Sequence, residues 1–146
     1  MKRSTVSLQT GEPILHVSLP VRDLAETRHF YVDVLGCELG RVGDRWLDVF
    51  FFGCQMTLHE RPAEVLGPEQ RGVRHFGVTL PEDRWRAVVE RLQSGGASFI
   101  RGPETDYAGT DREQTKAMVA DPSGNAIEIK TYRHPDRALT WDRDPT

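Results

Sequence analysis

Cysteine is nearly absent from this 146-residue chain: there are two, Cys37 and Cys54, and neither belongs to a Cys-x-x-Cys pair. A disulfide framework and a thiolate zinc site are therefore excluded as organising features. Long apolar runs are missing as well. No stretch approaches the ~20 residues of a bilayer span. Lys2 and Arg3 have no apolar segment behind them, so a secretory signal is not expected and the expected compartment is the cytoplasm. Basic charge is not in excess either, with 19 Lys and Arg against 22 Asp and Glu and a net charge of −3. Since no basic run is interleaved with aromatics, nucleic-acid binding is not expected. At 38% hydrophobic and 28% charged residues, the composition is that of one soluble domain able to bury a sizeable core.

What the chain does have is a repeat. His16 lies in Ile14-Leu15-His16-Val17-Ser18-Leu19 and His75 in Arg74-His75-Phe76-Gly77-Val78-Thr79-Leu80; each is followed 20 residues later by a glycine, Gly36 and Gly95, so one unit recurs at an offset of 59. In each copy an alternating strand leads into an amphipathic helix that stops at the glycine. In the first, Leu15, Val17, Leu19 and Val21 share one face of a strand over 14–21, and His16, Ser18 and Pro20 share the other. Asp23 is the N-cap of a helix whose stripe of Leu24, Phe30, Tyr31, Val34 and Leu35 ends at Gly36. Strands follow over 37–42, 45–52 and 54–60, divided by Gly43-Asp44 and Gly53. Residues 61–72, with Pro62, Gly67 and Pro68, read as a linker. The second copy has a strand over 74–80, a helix over 82–94 with Trp85, Val88, Val89 and Leu92 inside, and strands over 97–101, 115–120 and 126–131. The polar segment 102–113 reads as a surface loop long enough to wall a cleft. In the tail, 132–146, only Leu139 and Trp141 are candidates for docking. The expectation is one α+β domain over 1–146, built of two βαβββ modules at about 13–60 and 73–131.

Three residues stand out chemically. Ile127 and Ile129 face the core, which puts Glu128 on the opposite face of its strand, as His16 and His75 are in theirs. Two imidazoles and a carboxylate on polar sheet faces suit Fe(II), Mn(II), Zn(II) or Ni(II). A bland reading fits any one of them: a hydrogen-bonded surface histidine, or Glu128 paired with Lys116 or Lys130. It has to hold three times over at repeat-related positions to account for all. Matching Gly53 with Gly124 sets Thr57 opposite Glu128 and His59 opposite Lys130. Thr57 is a poor metal ligand, which leaves open coordination positions of the kind that favour non-haem Fe(II) and oxygen chemistry. His59, two residues on, is a candidate acid/base group, substrate contact or fourth ligand, with Gln55 on the same face in a supporting position. His29 and His134 read as surface residues.

Taken together, His16, Asp23-Leu24, Phe30-Tyr31, Leu35-Gly36, His75-Phe76 and the run Asp121-Pro122-Ser123-Gly124-Asn125-Ala126-Ile127-Glu128 resemble the vicinal oxygen chelate superfamily. That group contains glyoxalase I, extradiol dioxygenases, methylmalonyl-CoA epimerase and the fosfomycin and bleomycin resistance proteins. The resemblance covers residues 14–131 and implies paired modules curled into an open, cup-like mixed sheet with helices outside. It also implies a small-molecule substrate and a divalent metal held by His16, His75 and Glu128. The 121–128 run is similar to the end of the extradiol signature, but the upstream histidine and tyrosine of that signature are absent from the stretch of Gln114, Lys116 and Met118. The short chain, with His75 to Pro81 followed by Trp85, looks like the compact dioxygenases that open L-dihydroxyphenylalanine. What the resemblance implies first is Fe(II)-dependent cleavage of a catechol with O2. In that extradiol reading Tyr107, Gln114 and Arg112 are further candidates beside His59 for the proton steps. A glyoxalase- or epimerase-type lyase or isomerase is the second reading and requires His59 to coordinate. A small-molecule-binding resistance protein is the third, and the intact ligand set counts against it. An amino-acid substrate would ask for a cation such as Arg112, Arg101 or Arg41. A homodimer is expected because open sheets have edges to cover.

Overall fold

The structure, a computed structural model, describes residues 9–140. Its described chain forms two compact units, one running through Val73 and including Asp121–Asn125, the other comprising Arg74–Ala120 and the chain from Ala126 onward.

In the first unit, β1 (His16–Val21) leads through the N-cap Asp23 into α1 (Leu24–Arg28), where Asp23 Oδ1 accepts from the Glu26 amide at 2.9 Å. The helix then widens into a π-helical stretch, His29–Val34, closed by Leu35 N–H donating to Phe30 O at 2.8 Å. The wider turn carries more residues per revolution, and Phe30, Tyr31, Val34 and Leu35 are all buried there. Strands β2 (Glu38–Val42), β3 (Trp46–Phe51) and β4 (Cys54–Glu60) follow, giving the sheet order β1-β4-β3-β2 with β1 parallel to β4 and the rest antiparallel. Val17, Leu19 and Val21 turn inward as the alternation predicts, but Leu15 is 77% exposed because the strand begins only at His16. The segment read as a linker holds a 3-10 turn at Pro62–Glu64 and the short α2 (Pro68–Arg71).

The second unit repeats the plan. Strand β5 (Phe76–Thr79), helix α3 (Glu82–Ser94), β6 (Ser98–Asp106), β7 (Gln114–Ala120) and β8 (Ala126–Tyr132) give the order β5-β8-β7-β6, again with the first pair parallel. Trp85, Val89 and Leu92 of α3 are buried, and Trp85 Nε1 donates to Ile129 O of β8 at 2.8 Å. The two registers correspond residue for residue: Ser18 pairs with Thr57 as Gly77 pairs with Glu128, and Pro20 pairs with His59 as Thr79 pairs with Lys130. The duplication, and the alignment drawn from Gly53 and Gly124, therefore hold in three dimensions. The fold is two four-stranded mixed sheets of the βαβββ type, and neither sheet closes on itself.

Two expectations need correction. The segment 102–113 is not one loop, because β6 continues past Gly102-Pro103 to Asp106 through two register shifts. Such irregularities let a strand absorb a proline that has no N–H to donate. What remains, 107–113, is a tight turn in which Thr110 donates to Tyr107 O and Gly109 N–H to Glu113 Oε1. Leu139 does not dock; it follows α4 (Pro135–Ala138) and is 52% exposed, while Trp141 lies outside the described residues.

Candidate metal and substrate site

In the second unit, the parallel pairing of β5 with β8 brings His75, just ahead of β5, to Glu128 in the middle of β8. His75 Nε2 lies 3.1 Å from Glu128 Oε2, and the two share a cavity of about 260 Å³ with Thr79 and Lys130. Burial of Ile127 and Ile129 on the reverse face forces Glu128 to this side. Among the described residues neither Lys116 nor Lys130 forms an ion pair with Glu128. Lys116 Nζ is 2.6 Å from Asp106 Oδ2, and that hydrogen bond raises the pKa of the amine, although the Glu128 charge also helps to raise it. The Lys130 ammonium lies over the Tyr132 ring at 5.3 Å.

The donor chemistry fits a divalent metal. Two ligands each about 2.1 Å from one cation, at tetrahedral or octahedral angles, stand roughly 3.0–3.4 Å apart, which matches the observed separation. Without a metal the same distance serves a hydrogen bond from the imidazole. Among the described residues no three His, Cys, Asp or Glu side chains are grouped as ligands, so the contact that forms is the His75–Glu128 pair.

His16 occupies the equivalent place in the first unit. Its Nδ1 is 3.1 Å from the backbone oxygen of Gln55, which can only accept, so Nδ1 carries the hydrogen and the lone pair rests on Nε2. Ser18 Oγ is 3.4 Å from that nitrogen. A carbonyl that fixes tautomer and ring orientation is what a metal-binding histidine requires. The supporting role expected of Gln55 thus belongs to its main chain. His59 stands opposite Pro20 on β4. It lines a second cavity of about 260 Å³ with Ser18, Pro20, Arg61 and Glu64, one same-face step, roughly 6.5 Å, beyond Thr57.

The remaining candidates lie in the second unit. Gln114 opens β7 opposite Tyr132, four residues and roughly 13 Å along the strand from Met118, the partner of Glu128. Tyr107 sits in the turn after β6 with a φ of 55° and is 59% exposed. Arg112 is exposed in the same turn, and Arg101 is paired with Glu104.

Two arrangements were not anticipated from sequence. The Asp121-Pro122-Ser123-Gly124-Asn125 run is a structural clasp. Asp121 Oδ1 accepts from the Ser123 and Asn125 amides at 2.9 Å, and Oδ2 accepts from Tyr31 OH at 2.8 Å and Asn125 Nδ2 at 2.9 Å. Asn125 and Ser123 reach on to Pro20 O and the Arg22 amide. Burial pushes the Asp121 carboxyl up against the pull of these bonds, and burial, followed by the charge of Asp121, pushes the Tyr31 phenol well above its usual range. The second arrangement centres on Asp48, 1% exposed in mid-strand, which accepts from Thr57 Oγ1 and from Arg41 Nε, both at 2.7 Å. A charged residue on the face shared with Trp46 and Phe50 was the available signal, since aspartate is depleted within strands.

Residues 13–129 match the model of the Glyoxalase/Bleomycin resistance protein/Dioxygenase superfamily. The chain belongs to that superfamily. Catechol-2,3-dioxygenase of Bacillus subtilis is 28% identical over 144 residues, which are 94% of this chain and 47% of that protein. The chain thus spans about half the length of this curated relative. Metallothiol transferase FosB of Staphylococcus saprophyticus is 21% identical over 86% of this chain and 81% of its own length. Among solved structures, a glyoxalase/bleomycin resistance protein/dioxygenase from Alicyclobacillus acidocaldarius superposes with a TM-score of 0.79 at 29% identity, covering 88% of this chain and 96% of that one. Membership in a largely enzymatic superfamily that typically holds a divalent metal agrees with the donor chemistry of His75 and Glu128.

Proposed function

We propose that the protein is a metal-dependent dioxygenase that opens the ring of a catechol beside its diol, with His75, Glu128 and His16 as the protein ligands and Fe(II) as the metal. The observation that carries the reading is the pairing of His75 with Glu128 in the second unit against Thr57 at the corresponding place in the first. Thr57 donates its hydroxyl to Asp48, so the repeat supplies no fourth ligand there and coordination positions stay open for small molecules. His16 enters as the third ligand on its equivalence to His75 and on the carbonyl-fixed tautomer that leaves Nε2 as the donor. The similarity to the B. subtilis catechol-2,3-dioxygenase supports the choice of chemistry within the superfamily.

When bound, such a metal supplies Lewis acidity toward the diol and a meeting point for O2. The chain's own residues orient and move protons. His59 is assigned the substrate proton, because an imidazole one same-face step beyond Thr57 reaches a substrate group while staying too far for a bond of about 2.1 Å to a cation on His16. No proton step is assigned to Tyr107 or Gln114.

The test is metal analysis of the purified protein followed by oxygen-electrode assays on a panel of substituted catechols. Bound iron with oxygen uptake and the yellow absorbance of a ring-opened product is the expected result. Iron-loaded protein that consumes no oxygen with any catechol overturns the assignment.

A further inference from the structure

The first unit contains a guanidinium held in place by two side chains. Arg41 Nε donates to Asp48 Oδ2 at 2.7 Å, and its guanidinium carbon lies 5.1 Å from the centre of the Trp46 ring. Asp48 is fixed in turn by Thr57 through its other oxygen. The glycines flanking this arginine make room for the two side chains that hold it. A Cβ on Gly40 would meet Asp48 Cβ at 2.9 Å, and a Cβ on Gly43 would fall 2.2 Å from Trp46 Nε1.

Neutralising Asp48 engages Nε alone. The Arg41 side chain is 69% exposed, so the rest of the guanidinium faces solvent. Among the described residues its two Nη groups have no hydrogen-bond partner, and the Nε contact leaves them as a two-pronged fork. A planar group with two oxygens is what such a fork matches. Aspartate below and indole alongside remove most of the rotamer entropy that an exposed arginine ordinarily loses on binding an anion.

We propose that Arg41, oriented by Asp48 and Trp46, receives a carboxylate on the substrate, so that the protein selects carboxylated aromatic diols over neutral ones. The placement agrees with a substituent remote from the reacting oxygens. Ser18, Thr57 and Asp48 lie in one row across β1, β4 and β3, and two strand spacings set Asp48 about 10 Å from Ser18 on the face that also carries His16. Of the three cations considered from sequence, Arg101 is paired with Glu104 and Arg112 sits in an exposed turn. The proposal rests on the catechol reading for the identity of the ring, but binding through Arg41 is measured without turnover.

The experiment is anaerobic titration calorimetry on the iron-loaded protein with dihydrocaffeate and with its primary amide. The wild type is expected to prefer the acid by about ten- to a hundredfold, the range for a hydrogen-bonded charge pair. Arg41→Met combined with Asp48→Asn, which leaves no uncompensated buried charge, should lose the preference while binding the amide as before. Arg41→Lys, which keeps the charge and gives up the fork, should lower it several-fold. Equal affinity for acid and amide in the wild type, no binding of the acid, or a preference that survives in the double variant overturns the proposal. Oxygen uptake with dihydrocaffeate is read separately. An intact acid preference without uptake discards the dioxygenase reading and leaves Arg41 as a carboxylate site.

Discussion

A Cβ on Gly77 would lie 1.8 Å from the carbonyl oxygen of Glu128. The β5 backbone therefore approaches β8 at the residue proposed as the metal's carboxylate ligand, more closely than any side chain permits. Ser18 holds the corresponding place in β1, so the glycine is peculiar to the copy that carries the glutamate.

Gly77→Ala should force β5 away from β8. An overlap with backbone has no flexible side chain to yield, so a cost near the upper end for overpacking is expected, about 3 kcal/mol or roughly 10 °C in Tm. Bound metal should fall with it, because the His75–Glu128 separation depends on the same pairing. A variant with wild-type Tm and full metal content would show that the strands part without cost.

How much of this was legible beforehand depended on whether a local pattern carried it. Alternation alone put Ile127 and Ile129 inside and Glu128 outside, and the 59-residue offset paired His16 with His75, since both signals need only the periods of strand and helix. The Gly77 contact depends on which strand lies alongside, and nothing in residues 74–80 reveals that. The Asp121 run was read for its chemistry, yet its carboxylate is consumed by two amides, Asn125 and Tyr31. Tyr31 is 90 residues away in sequence, a separation no local pattern bridges. Asp48 was passed over for the same reason: its partners Thr57 and Arg41 lie on neighbouring strands.

The Tyr31–Asp121 bond makes stability depend on alkaline pH. Burial and the neighbouring carboxylate raise the Tyr31 phenol well above its usual value near 10, so above that value the unfolded chain releases a proton that the folded one keeps. Folding stability is then lost as pH rises, by about 1.4 kcal/mol per pH unit for one group. Asp121, also raised, holds its proton longer when folded, so its contribution is greatest below the ordinary carboxylate value of 3.8 and declines as pH climbs through the raised one. It does not drive acid unfolding. Tyr31→Phe should lower stability at neutral pH by about 1.5–3 kcal/mol, the worth of a hydrogen bond to a charged group, and flatten the alkaline slope. Urea unfolding from pH 8 to 11 provides the comparison, and parallel pH curves for the two proteins would refute the assignment.

The proposed ligands make a separate prediction. His75→Ala, His16→Ala and Glu128→Ala should each remove most of the bound metal on dialysis while circular dichroism stays native, since none of the three side chains belongs to the buried apolar core. Stoichiometric metal in dialysed His75→Ala would end the assignment.

His59 separates the dioxygenase reading from the lyase or isomerase reading. The register places it opposite Pro20, with Thr57 opposite Ser18 between it and the level of His16. As acid/base group it can act on a substrate oxygen; as fourth ligand it would have to move a full same-face step, roughly 6.5 Å. His59→Ala should accordingly keep its iron and the wild-type metal preference, while ring cleavage falls by about 10² to 10⁴, the usual contribution of general acid/base catalysis. The pH at which catechol binds should shift as well, because a base that takes a phenol proton is linked to diol deprotonation. Iron loss in the variant would make His59 a ligand and favour the glyoxalase or epimerase chemistry, and unchanged oxygen uptake would leave it as no more than a wall of the cavity it shares with Ser18, Pro20, Arg61 and Glu64.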